Sequence, residues 1–270
     1  MTAPFAASEP SASPPTTGYV LPRRVAPGEV QMALDAALLR WAAAAPGRLV
    51  VRTYGWSRPT LSLGRIEPWP EGWDLEAIAR AGLDVARRPT GGDAVLHDEE
   101  ATFAVAASVP GPWADAPRAF AERVADAVAG AYRTLHLAAE RVPSSERGPA
   151  LPAGATPCFA RTAPGEVRVG EFKLAGIASK FTRGGALSHA SLPLTGRHRD
   201  VAAFRRDADR AAGLLAGHAR GAGELLGVAV AAELVEARIV EAVGRVFHVT
   251  LEPAPFAALG LADPGASRVC

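Results

Sequence analysis

Cys158 and Lys173, fifteen residues apart, are the pair whose side chains could do covalent chemistry together. A thiolate is a strong nucleophile that exchanges with a thioester at little energetic cost. A nearby ammonium can lower the thiol pKa and donate a hydrogen bond to the developing oxyanion. A second group lies upstream in Arg87-Arg88-Pro89-Thr90-Gly91-Gly92-Asp93-Ala94-Val95-Leu96-His97. Paired guanidinium groups beside a Gly-Gly step suit a carboxylate, phosphate or acyl oxygen, because glycine permits positive φ and close approach of a ligand to the backbone. Each feature also has a plainer reading. A free cysteine is usually a small buried apolar residue, a lysine near a turn is usually solvated, and Gly-Gly turns are common. His97 can relay a proton, bind an acyl carbonyl or simply pack, and His189 is a further candidate. His136, His198, His218 and His248 lack metal-ligand spacing, and two cysteines cannot build a paired-cysteine zinc site, so no metal site is expected.

The composition narrows the classes of function. Over 270 residues, 29 basic side chains face 28 acidic ones, a formal net charge of +1. That balance argues against a protein that coats nucleic acid. Two cysteines, one of them the terminal Cys270, are too few for a disulfide scaffold. The most apolar helical stretch, residues 34–45, is interrupted by Asp35 and Arg40 and falls short of the roughly 20 residues that span a bilayer. The first sixteen residues lack a basic start and an apolar segment, so they do not read as a secretory signal. Their Ala, Ser and Pro content predicts a disordered tail. The expected organisation is a tail over 1–17, one catalytic domain over 18–260 and a short tail over 261–270, in a cytoplasmic protein that avoids membranes and nucleic acid.

The elements that must position these residues follow from periodicity. Leu34, Leu38 and Trp41 predict a helix over 28–45, stopped by Pro46-Gly47. Strands are expected at 49–54, 60–63 and 83–88, with a short helix at 75–81, further strand material at 94–108 and a long helix at 117–137. A mobile loop rich in Pro, Ser, Gly and Ala is expected over 141–157. A β-meander follows, 166–169, 172–181 and 186–194, turning at Gly170-Glu171 and Gly184-Gly185. Helices near 201–210 and 230–246 and a strand at 247–251 complete the chain. The fold class is α+β, a mixed or antiparallel central sheet with flanking helices, expected on one face.

Four stretches, in this order and spacing, resemble the lipoate-protein ligase and octanoyltransferase family, within the biotin/lipoate protein ligase catalytic-domain superfamily. RRPTGGDAVLHDEEATFAVAAS resembles its signature, VQMALDAALL its N-terminal helix and RTYGWSRPTLSLGR its first strand pair. PCFARTAPGEVRVGEFKLAGIASKFTRGGALSHASLPL resembles its lysine segment. The resemblance is greatest to the cysteine-dependent octanoyltransferases. It implies an acyl groove formed around Arg88, Gly91, Gly92, His97 and Lys173, with Arg87, Thr90, Gly176 and His189 as further substrate-binding positions and Cys158 and Lys173 as catalytic ones. The implied activity moves an octanoyl group from acyl carrier protein, through a cysteine thioester, to a lysine of a lipoyl-carrier domain. That domain would be the glycine cleavage H protein or a 2-oxoacid dehydrogenase E2 subunit. No cofactor is then needed.

The sequence departs from the family pattern at Asp93, where many ligases have a third glycine, at Ala178-Ser179 in place of Ala-Gln, and at Ala190 in place of glycine. Alternatives stay open: an ATP- and Mg-dependent lipoate-protein ligase acting through lipoyl-adenylate, transfer of octanoate between two carrier proteins, and a non-catalytic relative that binds a carrier domain or a fatty acid. The Gly-Arg-Gly-Arg-type loop of biotin ligases is absent. The basic stretch 197–210 reads either as a surface for an acidic carrier or as a solvated face with interleaved aspartates.

Overall fold

The computed structural model describes residues 17–143, 145–146 and 157–265. Residues 1–16, most of the loop expected over 141–157, and Cys270 lie outside them. The described elements run β1 (Thr17–Ala26), α1 (Gly28–Ala43), β2 (Leu49–Trp56), β3 (Thr60–Leu63), α2 (Leu75–Arg80), β4 (Asp84–Arg87), β5 (Val95–His97), β6 (Glu100–Val109) and α3 (Pro117–Arg133). They continue with β7 (Glu140–Arg141), β8 (Val167–Val169), β9 (Phe172–Thr182), β10 (Gly184–Pro193), α4 (Ala208–His218), α5 (Ala222–Leu226), α6 (Ala232–Phe247) and β11 (Thr250–Pro253).

Eight strands form one mixed sheet in the order β11-β1-β2-β6-β10-β9-β8-β7, and β4-β3-β5 form a small second sheet. β1 runs parallel to β11 and β2, while β2, β6, β10, β9 and β8 pair antiparallel in succession. The expected meander is therefore present as β8-β9-β10.

Helices cover both faces of the large sheet, which corrects the expectation of one covered face. On one side Leu49, Val51, Phe103 and Val105 pack against Phe120, Val124, Val235 and Ile239 of α3 and α6. On the other side Val50, Ala104, Ala106 and Leu187 pack against Leu34, Leu38 and Ala42 of α1. The reason lies in β2 and β6, which are apolar at odd and even positions alike, the pattern of strands buried on both faces.

β1 was not anticipated, because Pro22 and Arg23-Arg24 break its alternation. The structure accommodates them with a register shift against β2 between Leu21 and Arg24. Thr17, assigned to the tail, begins this strand. Residues 261–265 are also fastened: Arg24 donates to both carboxylate oxygens of Asp263 at 2.7 Å, and Leu261 packs on the α1-side core.

The segment expected as helix over 201–210 divides into a 3-10 run, Gly196–Phe204, and α4. Arg197, Arg199, Arg205 and Arg210 are neutralised by Asp98, Glu224 and Asp207, and Arg206 donates to the Trp73 carbonyl, which favours the interleaved reading of the basic stretch.

One buried ion pair ties α1 to the sheet. Arg52 of β2 donates through Nε (2.9 Å) and Nη2 (2.7 Å) to Asp35 Oδ1, and through Nη1 (2.7 Å) to Gln31 Oε1. Neither charge meets water, so removing one partner strands the other. Arg52→Met is expected to lower the unfolding free energy by about 3–5 kcal/mol. Urea denaturation at pH 7 checks this, and a loss below about 1 kcal/mol would contradict the role assigned to the pair.

Candidate active site

On the α1 side of the sheet lies a small cavity of about 100 Å³. Met32 of α1, Tyr54 of β2, Val95 of β5 and Ala178 of β9 give it apolar walls. Cys158, Lys173, Arg88, Gly92 and His97 face the same space.

Cys158 opens a 3-10 turn, Cys158–Ala160, that follows Pro157. Its N–H donates to the Ala94 carbonyl at 3.1 Å, which joins the turn to the Gly-Gly loop. Phe159 is buried beneath it against β9. Gly176 gives that seat its close fit. A Cβ there would stand 3.1 Å from the Phe159 ring and 3.6 Å from Cys158 Sγ. Gly176 therefore acts by making room for the thiol.

Lys173 is the more deeply buried of the cavity's cations Arg88 and Lys173, at 1% exposure. Its Nζ donates to Glu166 Oε1 (2.6 Å), to the Cys158 carbonyl (2.7 Å) and to Cys158 Sγ (3.5 Å), and lies 5.2 Å from the Phe159 ring centroid. Glu166 also accepts from the Ala163 N–H through Oε2, at 2.7 Å. The carboxylate thus binds the lysine with one oxygen and holds the turn before β8 with the other.

The electrostatics differ from the sequence expectation of a lowered thiol pKa. Burial pushes the Cys158 thiol above its ordinary value; Lys173 and Arg88 pull it down without winning, and Glu166 and Asp93 add to the rise. For Lys173 the order is reversed. Burial lowers its pKa most, but the combined effect of Cys158 and Glu166 leaves it raised, so the ammonium persists.

Arg88, buried at 5% exposure, donates to the Ser62 carbonyl and Oγ at 2.7 Å, and to the Gly91 (3.3 Å) and Asp93 (2.8 Å) carbonyls. It therefore holds the Gly-Gly loop by its carbonyls. Among the described residues the N–H groups of Gly91 and Gly92 have no partner. Gly92 has φ of +96°, and its carbonyl would lie 1.8 Å from a Cβ at Gly64, so glycine is required at both positions. Gly92 lines the cavity and Gly91 does not. Arg87 points elsewhere, donating to the Gly64 (2.8 Å) and Glu67 (3.0 Å) carbonyls, where it braces the loop after β3 rather than meeting the cavity.

Both histidines are committed to the scaffold. His97 stacks on Trp56 with centroids 4.0 Å apart, its Nε2 bonds Ser62 Oγ (2.6 Å) and its Nδ1 bonds Glu100 Oε1 (2.7 Å). It is therefore a spacer in the wall, without a free nitrogen for an acyl carbonyl. His189 lies within β10. Its Nδ1 bonds Asp35 Oδ2 and its Nε2 bonds Thr90 Oγ1, both at 2.8 Å. Burial holds its pKa below the usual value, so the ring is neutral and anchors Thr90 rather than a substrate. Of the family departures, Ala178 and Ala190 line the cavity, Asp93 borders it opposite Arg161 (3.7 Å), and Ser179 bonds Ser188 (2.6 Å) on the other face of the sheet.

Sequence reasoning missed Glu166, Asp35, Ser62 and Glu100. Glu166 had a signal. The Gly170-Glu171 turn pairs Arg168 with Lys173, which folds a residue seven before the lysine back toward it. Among the described residues no group of three His, Cys, Asp or Glu side chains is placed to hold a metal ion, and no helix is long and apolar enough to cross a membrane.

The chain matches the family model "Lipoyl protein ligase A/B catalytic domain" over residues 27–242. The octanoyltransferase LipM of Moorella thermoacetica is 33% identical over 246 residues, covering 89% of this chain and 90% of that one. The LipM of Geobacillus kaustophilus is 39% identical over 173 residues, covering 62% of each. Among solved structures, the bi-partite lipoate protein ligase of Thermoplasma acidophilum superposes with a TM-score of 0.69 at 23% identity, over 88% of this chain and 87% of that one, a likeness of fold. With its family model matched along most of its length and a relative of this identity aligned nearly end to end, the chain belongs to the lipoyl protein ligase A/B catalytic domain family.

Proposed function

We propose that the protein is an octanoyltransferase of lipoate biosynthesis, carrying octanoate from acyl carrier protein to the lysine of a lipoyl-carrier domain. The observation that carries this reading is a cysteine and an ammonium facing one apolar cavity, with Lys173 Nζ 3.5 Å from Cys158 Sγ. Relatives named octanoyltransferase LipM support it. The glycine cleavage H protein and a 2-oxoacid dehydrogenase E2 subunit are the acceptors proposed, in the cytoplasm, without ATP or metal.

In the first step Cys158 Sγ attacks the thioester carbonyl of the donor. A carbon–sulfur bond forms to Cys158, and the donor thiol leaves with the proton that Cys158 gives up. Lys173 donates to the oxyanion, which forms beside a fixed cation in a site of low dielectric. The N–H group of Gly92 stands ready as a further donor, because Arg88 occupies the carbonyls of its loop. In the second step the acceptor amine attacks the octanoyl-enzyme. A carbon–nitrogen bond forms, the Cys158 thioester breaks, and the amine's proton returns to the sulfur. Passing from thioester to amide is downhill. The raised thiol pKa lowers the thiolate fraction but makes that thiolate the stronger nucleophile.

Incubation with octanoyl-acyl carrier protein is expected to give an octanoyl adduct by intact mass, lost in Cys158→Ala and slowed about 10²–10³-fold in Lys173→Met. If no adduct forms and modification of the carrier appears only with ATP and lipoate, the protein is a ligase. Failure of both assays would mark a binding relative.

The pKa directions give a separate prediction. In a Cys270→Ser background, iodoacetamide alkylation of Cys158 should keep accelerating with pH above the range of an ordinary cysteine, because the reactive thiolate appears only as the raised thiol titrates. Lys173→Met removes a cation and should move the profile to still higher pH. Glu166→Gln removes an anion and should move it lower. Shifts of the same sign in both variants would refute the assigned electrostatics.

A further inference from the structure

The cavity has a neighbour built from the same three walls. A groove between α1 and β9 is lined by Ala36, Arg40, Ala43, Pro89, Lys180 and Arg183, among others, and carries no acidic residue. Strand alternation puts Gly176 and Ala178 of the cavity on the face of β9 that continues to Lys180 and Thr182 in the groove. Helical periodicity carries α1 from Met32 in the cavity to Ala36 and Arg40 in the groove. The site loop contributes Gly92 to the cavity and Pro89 to the groove. The two spaces therefore follow one line, from the thiol outward.

The groove is a built feature. Gly184, with φ of +84°, and Gly185 let the β9–β10 hairpin rest on the end of α1, where a Cβ at Gly185 would stand 2.8 Å from that of Ala43. The hairpin brings Lys180 and Arg183 to the side of Arg40. None of the three has an ion-pair partner among the described residues, whereas Arg197, Arg199, Arg205 and Arg210 of the 197–210 stretch are paired with acids. The C-terminal end of α1 contributes about half a negative charge here, which three cations outweigh.

We infer that the Arg40, Lys180 and Arg183 groove binds the phosphate of the phosphopantetheine arm that delivers the acyl thioester. The inference rests on the octanoyl-transfer reading and adds to it the path of the donor. The dimensions agree. Lys180 lies four residues beyond Gly176, which touches the thiol turn, so it is about 13 Å farther along the strand. An extended arm carries its phosphate roughly 16 Å from its sulfur by standard bond lengths. A phosphate in the groove therefore places the thioester sulfur beside Cys158, with the acyl chain directed into the apolar cavity. Three cations around the anionic phosphodiester of the arm also suit charge-assisted hydrogen bonding.

The test compares octanoyl-4′-phosphopantetheine with octanoyl-pantetheine, which lacks the phosphate, as donors in acylation of Cys158. The wild-type protein is expected to use the phosphorylated thioester with a KM at least tenfold lower. Arg40→Glu, Lys180→Glu and Arg183→Glu should each reduce that preference, and the triple variant should abolish it. Acylation by octanoyl-pantetheine should be unchanged in all of them, which also reports an intact fold. Acylation of the wild type without preference overturns the phosphate site alone, as does equal slowing with both donors in the variants. Charge reversal that slows only the intact octanoyl-carrier overturns it in favour of an acidic protein surface. A wild type acylated by neither thioester and not by octanoyl-acyl carrier protein overturns the transfer reading and the site with it.

Discussion

A cation buried in an apolar cavity sets the terms for the rest of the site. Lys173 has almost no contact with water, and an unpaired ammonium there would cost several kcal/mol. The structure compensates with three acceptors from two segments: the carbonyl and sulfur of Cys158, and Glu166. Each acceptor is itself placed by the constraint. The 3-10 turn must bring the Cys158 carbonyl to Nζ, so Phe159 packs on β9, where glycine at position 176 leaves it room. Glu166 must lie at the base of the β8–β9 hairpin, whose short turn fixes the register that aims it at the lysine. The nucleophile is thus placed by satisfying the charge that later stabilises the oxyanion.

The Gly-Gly loop is held by a second buried charge. Asp35 accepts from Arg52, Tyr54 and His189, joining α1, β2 and β10 at one carboxylate. His189 passes that order on to Thr90, and Arg88 grips the carbonyls on the far side of the glycines. Despite full burial, Arg52 and the hydrogen bond from His189 hold the Asp35 carboxyl below the usual carboxylate range, and the hydrogen bonds from His97, Ser191 and Thr102 do the same for Glu100. A loop containing two consecutive glycines would otherwise be among the more mobile parts of the chain, and catalysis needs its N–H groups fixed before the substrate arrives.

Much of this was legible in the sequence, for identifiable reasons. The meander, α1 and α3 announced themselves through local periodicity and glycine turns. Cys158 and Lys173 stood out because few residue types do thioester chemistry. What escaped notice depended on distant neighbours. β1 is disguised by Pro22 and two arginines, and only its pairing with β2 and β11 makes it a strand. Arg87 and Arg88 look equivalent in the sequence, yet alternation at the end of β4 sends one to the cavity and the other to the β3 loop. His97 and His189 resembled chemical groups until their partners, Ser62, Glu100, Asp35 and Thr90, filled both nitrogens of each ring. The direction of the thiol shift was also out of reach, because spacing along the chain reports the nearby cation but not the burial that outweighs it.

The central claim is that Lys173 exchanges its resting acceptors for the acyl oxygen when Cys158 is acylated. A crystal structure of the protein covalently trapped on Cys158 with an octanoyl chloromethyl ketone tests it most directly. The ketone oxygen is expected within about 3 Å of Lys173 Nζ, with the alkyl chain between Met32 and Ala178. A ketone oxygen turned away from Lys173, or a chain lying outside the α1-side cavity, would contradict it.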